Sequence, residues 1–253
     1  MHATERQSAI VATVEQKGLA AIGELAETLK VSDETIRRDV RHLAARGLVR
    51  KVHGGVALPD PQRETAFGQR MAERQAAKRA IAQATAGLIA RGESLILDTG
   101  TTTAYVAQAL GEHHDLMVVT NCTDIARTLA AGPGNRVYMA GGELRADDGA
   151  VLGHEAIRSI GRFHAHTAIL SVGALDHAIG LMDYHVAEGE FSAAVIAHAE
   201  RAIVVADHSK FTRRAPVRFA ALADIDIVVT DREPPRSAVE ALEAAGVTLV
   251  VAD

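Results

Sequence analysis

The sequence predicts a two-part architecture: an N-terminal winged helix-turn-helix followed by an α/β domain with a mostly parallel sheet. Three observations predict it. A basic segment with helical periodicity runs into a Gly-Gly hairpin before residue 57. A proline-bearing stretch, ALPDPQRET over 57–65, then interrupts any regular element. Downstream, short Val/Ile/Leu-rich runs alternate with helical segments. The expected organisation is a winged helix-turn-helix domain over 1–57, a linker and the start of a connecting helix over 58–75, and an α/β domain over 76–253.

Composition narrows the classes. Of 253 residues, 48% are hydrophobic and 23% charged, which describes a globular chain and excludes wholesale disorder. No apolar run approaches the roughly 18–20 residues of a membrane span, and MHATERQSAI has no apolar signal region, so a cytoplasmic protein is expected. The single Cys122 excludes an internal disulfide framework and a cysteine-based zinc site within one chain. With no Trp and three Tyr there is little on which single-stranded bases could stack.

The net charge of −5 hides an asymmetry. Residues 1–56 hold nine basic and seven acidic residues, whereas the remainder holds 18 basic and 25 acidic, a net −7. Within 30–58, Lys30, Arg37, Arg38, Arg41, Arg46, Arg50 and Lys51 face only Asp33, Glu34 and Asp39, a local +4. An anionic polymer is therefore met at one end of the chain.

Thr4 is expected to cap a first helix running to about Lys17, with Ile10 and Val14 stacked at i, i+4. Ile22, Leu25, Ala26 and Leu29 form one stripe of a second, shorter helix. Ser32 is the expected cap of a third, which runs to Arg46 and stops at Gly47. On the third helix Ile36, Val40 and Leu43 make a narrow core stripe, with Arg38 and Arg41 opposite and Arg37 on the flank. LVRKVHGGV then alternates apolar and basic residues as a short hairpin would. Alone, an arginine-rich helix face is usually only solvated. The helix spacing, the Ser32 cap and the basic hairpin together indicate a helix that enters the major groove, about 12 Å wide, and a wing that grips the adjacent backbone. The expected DNA-binding residues are Ser32, Thr35, Arg37, Arg38, Arg41, Arg50, Lys51 and His53.

In the second domain a helix is expected over 78–90, then strands over 94–98, 116–120, 136–140, 167–173, 202–207, 226–230 and 248–252. Helices fill the gaps, notably through 125–129, 186–199 and 237–245. The sequence leaves their order in the sheet open. Ligands in such folds bind beyond the carboxyl ends of the strands, and the polar and glycine residues fall there. Asp98-Thr99-Gly100-Thr101-Thr102-Thr103 offers backbone N–H groups, hydroxyls and a helix start suited to an anion. It lacks the lysine and spacing of a P-loop, which disfavours a nucleoside triphosphate. Asn121, Gly141, Gly142, Gly173, Asp176, Asp183, Tyr184, Glu188 and Lys210 complete the candidate effector set. Singly each is as readily a cap or a surface charge; together they suit a small, anionic, hydroxyl-rich ligand.

The run VSDETIRRDVRHLAARGLVRKVHGG resembles the helix-turn-helix signature of DeoR-type bacterial transcriptional regulators, TIRRD (35–39) and RKVHGG (50–55) being its most specific parts. The likeness continues through the second domain. It implies a sensor related in fold to ribose-5-phosphate isomerase and glucosamine-6-phosphate deaminase, one that binds phosphorylated sugars or polyols. The family's DxGTTT turn corresponds to Asp98–Thr103, its asparagine to Asn121, its paired glycines to Gly141-Gly142 and its GxD-like element to Gly173 through Asp176. The late glutamate corresponds to Glu188 and the D-x-SKF element to Asp207 through Phe211. The chain departs from the pattern at Ser192-Ala193, where members often carry Lys-Arg. GLMDY (180–184) and VVTDREPP (228–235) are most similar to the glycerol-3-phosphate-responsive branch, making glycerol 3-phosphate the candidate effector.

Two functions compete: a repressor of a sugar or polyol operon released by a phosphorylated effector, and a sugar-phosphate isomerase or deaminase fused to a DNA-binding domain. The related isomerases carry two carboxylates around Asp-Gly-Ala-Asp, whereas Val172-Gly173-Ala174-Leu175 replaces both, leaving Asp176 one position displaced. A non-enzymatic sensor is expected, with no cofactor. The histidine pairs His113-His114 and His164/His166 lack a ligand-like spacing with carboxylates, so no metal is expected. Since one winged helix reads only a few base pairs, a homodimer or homotetramer is expected.

Overall fold

The computed structural model describes residues 3–45, 48–57 and 66–252, apart from the side chain at 45. Arg46, Gly47 and the proline-bearing stretch from 58 to 65 lie outside the described residues, so the predicted helix stop and linker are not described. The chain divides into two compact units, Met1–Thr65 and Ala66–Asp253.

In the first unit, α1 (Ala3–Lys17), α2 (Ile22–Leu29) and α3 (Asp33–Ala45) pack with three short strands. Thr4 lies inside α1 rather than capping it, because the helix begins one residue earlier. The α2–α3 turn closes with Lys30 in the left-handed region (φ 53°) and Val31 N–H on the Ala26 carbonyl at 3.0 Å. The wing hairpin pairs β2 (Arg50–Val52) with β3 (Gly55–Ala57) across His53-Gly54, where Gly54 takes φ +72°. A strand not foreseen, β1 (Leu19–Ala21), pairs with β3 and anchors the wing. Its approach is close: a Cβ on Gly55 would lie 2.7 Å from the Ala20 carbonyl oxygen. Ile36, Val40 and Leu43 are buried with Ile10, Val14 and Leu25, as the helical stripes require.

The second unit opens with α4 (Phe67–Ala72) and α5 (Gln75–Ala86), so the helix placed at 78–90 starts three residues earlier and ends before Gly87. Then follow β4 (Ser94–Leu97), α6 (Thr101–Ala109), β5 (Met117–Thr120), α7 (Thr123–Ala130), β6 (Arg136–Met139), α8 (His154–Ile160) and β7 (Ala165–Ser171). A small antiparallel sheet of β8 (Ala174–Asp176), β9 (Gly180–Asp183) and β11 (Val217–Ala220) was not foreseen. The remainder is α9 (Val186–Ala197), β10 (Ala199–Val205), β12 (Ile227–Thr230), α10 (Arg236–Ala244) and β13 (Thr248–Val251).

Seven strands form one sheet in the order β13-β12-β10-β7-β4-β5-β6, every pair parallel. Alternation along the strands fills both faces. Leu95 and Leu97 of β4 pack with Ile81 of α5 and Val106 of α6, whereas Ile96 joins Phe191 of α9 and Leu242 of α10 on the other side. From β4 the chain moves one way through β5 to β6, then returns to β7 on the other flank of β4 and continues to β13. The connections diverge between β4 and β7, the switch point at which open α/β sheets form a ligand crevice.

Candidate DNA-reading face and effector crevice

On α3 the core stripe leaves Arg37, Arg38 and Arg41 exposed, and Arg50, Lys51 and His53 are exposed on the wing. Ser32 caps α3, its Oγ accepting from Thr35 N–H at 3.3 Å and lying 3.0 Å from Thr35 Oγ1. Arg41 reaches Glu34 at 2.8 Å and its Nε donates to the Arg37 carbonyl at 3.3 Å, an exposed pair that DNA phosphate can displace. A groove of about 350 Å³ between α3 and the wing is lined by Glu34, Arg37, Arg41 and Lys51. The Asp of TIRRD has another task. Asp39 is buried and accepts from Arg6 Nε at 2.5 Å and Gln7 at 3.1 Å, locking α1 onto α3 beneath the arginines. Burial alone would raise its pKa, but these two partners outweigh that and hold the carboxyl below its ordinary range.

In the second unit the candidate effector residues fall at one end of the sheet because all seven strands are parallel. Asp98 follows β4 and is buried; both its oxygens accept from Ser171 N–H, at 3.2 and 3.0 Å, which ties the ends of β4 and β7 together. Burial, reinforced by the charges of Asp183 and Glu188, raises its pKa well above the usual carboxylate range, against the Ser171 and Thr103 hydrogen bonds. Gly100 is needed because a Cβ there would lie 2.0 Å from Ser171 Oγ. The first intrahelical bond of α6 runs from Ala104 N–H to the Gly100 carbonyl at 2.9 Å, so the N–H groups of Thr101, Thr102 and Thr103 stand at the helix start.

Around this turn, Gly173 follows β7 where a Cβ would meet the Tyr184 ring at 3.0 Å and Asp183 Cα at 3.1 Å. Glu188, at the start of α9, is bound at 2.5 Å by Arg145, which also holds Asp148. Asn121 follows β5, donates to the Val151 carbonyl at 3.0 Å, and keeps a buried Oδ1 with no hydrogen-bond partner. Gly141 and Gly142 follow the edge strand β6, two strands and therefore about 10 Å from β4. Lys210 follows β10, and its Nζ donates to the Gly173 carbonyl at 3.4 Å.

Asp176 stands apart. It accepts from Ala178 N–H at 2.9 Å, Ile179 N–H at 3.1 Å and Arg214 Nε at 2.8 Å, closing the β8–β9 hairpin. Its carboxylate is engaged by the turn and by Arg214. Arg145, Ser171 and the buried Lys78 were missed. Lys78 alone left a signal, a lysine at i on the apolar stripe of Ile81, Ala82 and Thr85. Among the described residues, no three His, Cys, Asp or Glu gather as a metal site, and no helix is long and apolar enough to cross a membrane.

A winged helix with an exposed basic reading helix, joined to an α/β domain with polar strand ends, defines a DNA-binding regulator carrying its own sensor domain. Known families agree. Residues 6–62 match the DeoR-like helix-turn-helix domain and residues 73–232 the DeoR C terminal sensor domain. The glycerol-3-phosphate regulon repressor of Escherichia coli strain K12 is 36% identical over 242 residues, 96% of either chain. The HTH-type transcriptional repressor CsqR of the same organism is 32% identical over 246 residues, 97% of this chain and 94% of that one. Among solved structures, ribose 5 phosphate isomerase A from Neisseria gonorrhoeae aligns with 54% of this chain and 53% of its own at a TM-score of 0.38 and 19% identity. The chain belongs to the DeoR family and is a DNA-binding transcriptional repressor.

Proposed function

We propose that this repressor controls an operon for sugar or polyol catabolism and leaves its operator when a phosphorylated sugar or polyol occupies the crevice between the ends of β4 and β7. The observation that carries the reading is the switch point itself: Asp98, Gly100 and the N–H groups of Thr101–Thr103 on one side, Gly173, Asp183, Tyr184, Glu188 and Lys210 on the other. An anion fits the helix start and the lysine; hydroxyls fit the carboxyls. Asn121, Gly141 and Gly142 bound it from β5 and β6. Glycerol 3-phosphate is the first candidate, since it appears in the name of the relative above and the 180–184 and 228–235 stretches point the same way.

Ser32 and Thr35 at the start of α3, Arg37, Arg38 and Arg41 along it, and Arg50, Lys51 and His53 of the wing meet operator DNA, in a homodimer or homotetramer that reads symmetric half-sites. The crevice senses rather than catalyses: Asp176, nearest in sequence to the isomerase carboxylates, is engaged by its hairpin and by Arg214. Moving a regulator from 1:99 to 99:1 needs about 10⁴-fold tighter effector binding to one state, or about 5.5 kcal/mol.

The test is thermal unfolding of the full chain against matched phosphorylated and unphosphorylated sugars and polyols. A ligand at about 100 times its Kd stabilises by about 2.7 kcal/mol. One phosphorylated compound shifting the midpoint, without its dephosphorylated partner, is expected; no shift from any of them would overturn the reading.

A further inference from the structure

One acidic side chain stands in the middle of the basic face of α3. Glu34 is the second residue of that helix. At about 100° per residue it lies about 150° from the mean direction of Ile36, Val40 and Leu43, on the side away from the core. Arg41 and Arg37 stand about 20° and 60° to one side of it, and Arg38 about 40° to the other. The other two carboxylates of α3 lie off this face: Asp33 is about 100° away, and Asp39 is buried against Arg6. Glu34 lines the groove to the wing with Arg37, Arg41 and Lys51. Its side chain stays 75% exposed although it holds Arg41 at 2.8 Å. A carboxylate so placed repels phosphate, so it costs affinity on every sequence unless the DNA offers it a donor.

We propose that Glu34 is a specificity-determining residue of the repressor, its carboxylate accepting a hydrogen bond from the N4 amino group of a cytosine in the operator's major groove. This rests on α3 being the helix that meets operator DNA, as proposed above, and adds a base to that contact. The major-groove edges present two amino donors, cytosine N4 and adenine N6. Adenine sets its N7 acceptor beside N6, which repels a carboxylate, whereas the cytosine edge carries no acceptor. Position along the helix agrees. The N-terminal residues of a reading helix reach base edges, and Glu34 is in the first turn. Arg41 is seven residues, or about 10 Å, further along, where phosphate takes its guanidinium and releases the Glu34 carboxylate to the groove floor. The guanines of G·C pairs present O6 and N7 to Arg37 and Arg38 on either side.

The test selects sites from random DNA with the full-length wild type, Glu34→Gln and Glu34→Ala, and measures their affinities by anisotropy. The wild type is expected to require cytosine at one position of each half-site, any other base there weakening it by about fivefold or more. Glu34→Ala is expected to discriminate less than about twofold at that position, and Glu34→Gln to select adenine, whose N6 and N7 a carboxamide pairs with. Glu15→Gln, which removes an exposed charge from α1, is expected to keep every wild-type preference. Unchanged selection by both Glu34 variants, or affinity raised equally on all sequences, overturns the assignment and leaves Glu34 as a counter-charge for Arg41. If Arg38→Ala weakens operator binding while the Glu34 variants keep the wild-type preference, Glu34 alone falls and the α3 reading stands. If Arg38→Ala binds as wild type while Glu34→Gln still selects adenine, the reverse holds.

Discussion

The two units place polar residues in opposite ways. In the N-terminal unit the arginines of α3 and the basic wing stand in solvent on a fold held by Ile36, Val40, Leu43 and their neighbours, so the contact surface and the core are separate sets. In the sensor unit Asp98, Asn121, Lys78 and Asp207 are buried, and each is hydrogen-bonded within the fold. The first can change its DNA contacts without changing its stability. The second cannot alter its site without altering its fold, and its titrations report on both.

The largest expected effect tests that separation at its foundation. Ile36→Ala removes a fully buried side chain and should cost the N-terminal unit about 2–5 kcal/mol while leaving sensor unfolding unmoved, read by calorimetry. Arg38→Ala should do the reverse, weakening specific operator binding by about 1–3 kcal/mol with stability within about 0.5 kcal/mol of wild type. Equal weakening of specific and non-specific DNA would assign Arg38 to phosphate instead. Thr102→Val should weaken a phosphorylated effector by about 1.5–3 kcal/mol and leave operator affinity intact, measured by calorimetry and anisotropy.

Titration sharpens the contrast further. Lys78 is pushed from its ordinary 10.5 to about 8, so its charge burdens the folded state below pH 8. Stability should climb as pH rises from about 8 to 10.5, and Lys78→Met should flatten that slope. Asp98 has its pKa raised, so its share of stability is complete below about 3.8 and lost as pH rises toward the folded value; Asp98→Asn should remove that fall. The smallest effect belongs to the wing: Lys51→Ala should lower the salt dependence of DNA binding by about one unit of slope, uniformly across sequences.

The contrast also explains what the sequence made legible. Exposed function on an amphipathic helix leaves a periodic trace, so the stripe of Ile36, Val40 and Leu43 located the basic face opposite it. The long β-branched strands were legible for the same reason. Three-residue strands such as Leu19–Ala21 and Ala174–Asp176 carry too few positions for a period, and Leu19–Ala21 forms only because Gly55–Ala57, distant in sequence, pairs with it. An Asp two residues before a turn reads alike whether it caps the turn or binds a ligand, and the Arg214 that holds Asp176 lies 38 residues away, beyond any local pattern. Strand order, and with it the switch point, depends on pairings between β4 and β7 that no local pattern encodes.

The most direct test of the central claim, that a phosphorylated ligand in the β4–β7 crevice governs the DNA-reading face, is operator anisotropy. The full chain is bound to a DNA site selected from random sequence and titrated with the phosphorylated compound that stabilises it and with its dephosphorylated partner. At least tenfold weaker operator binding is expected with the first and no change with the second. A compound that binds the sensor yet leaves operator affinity unchanged would contradict it.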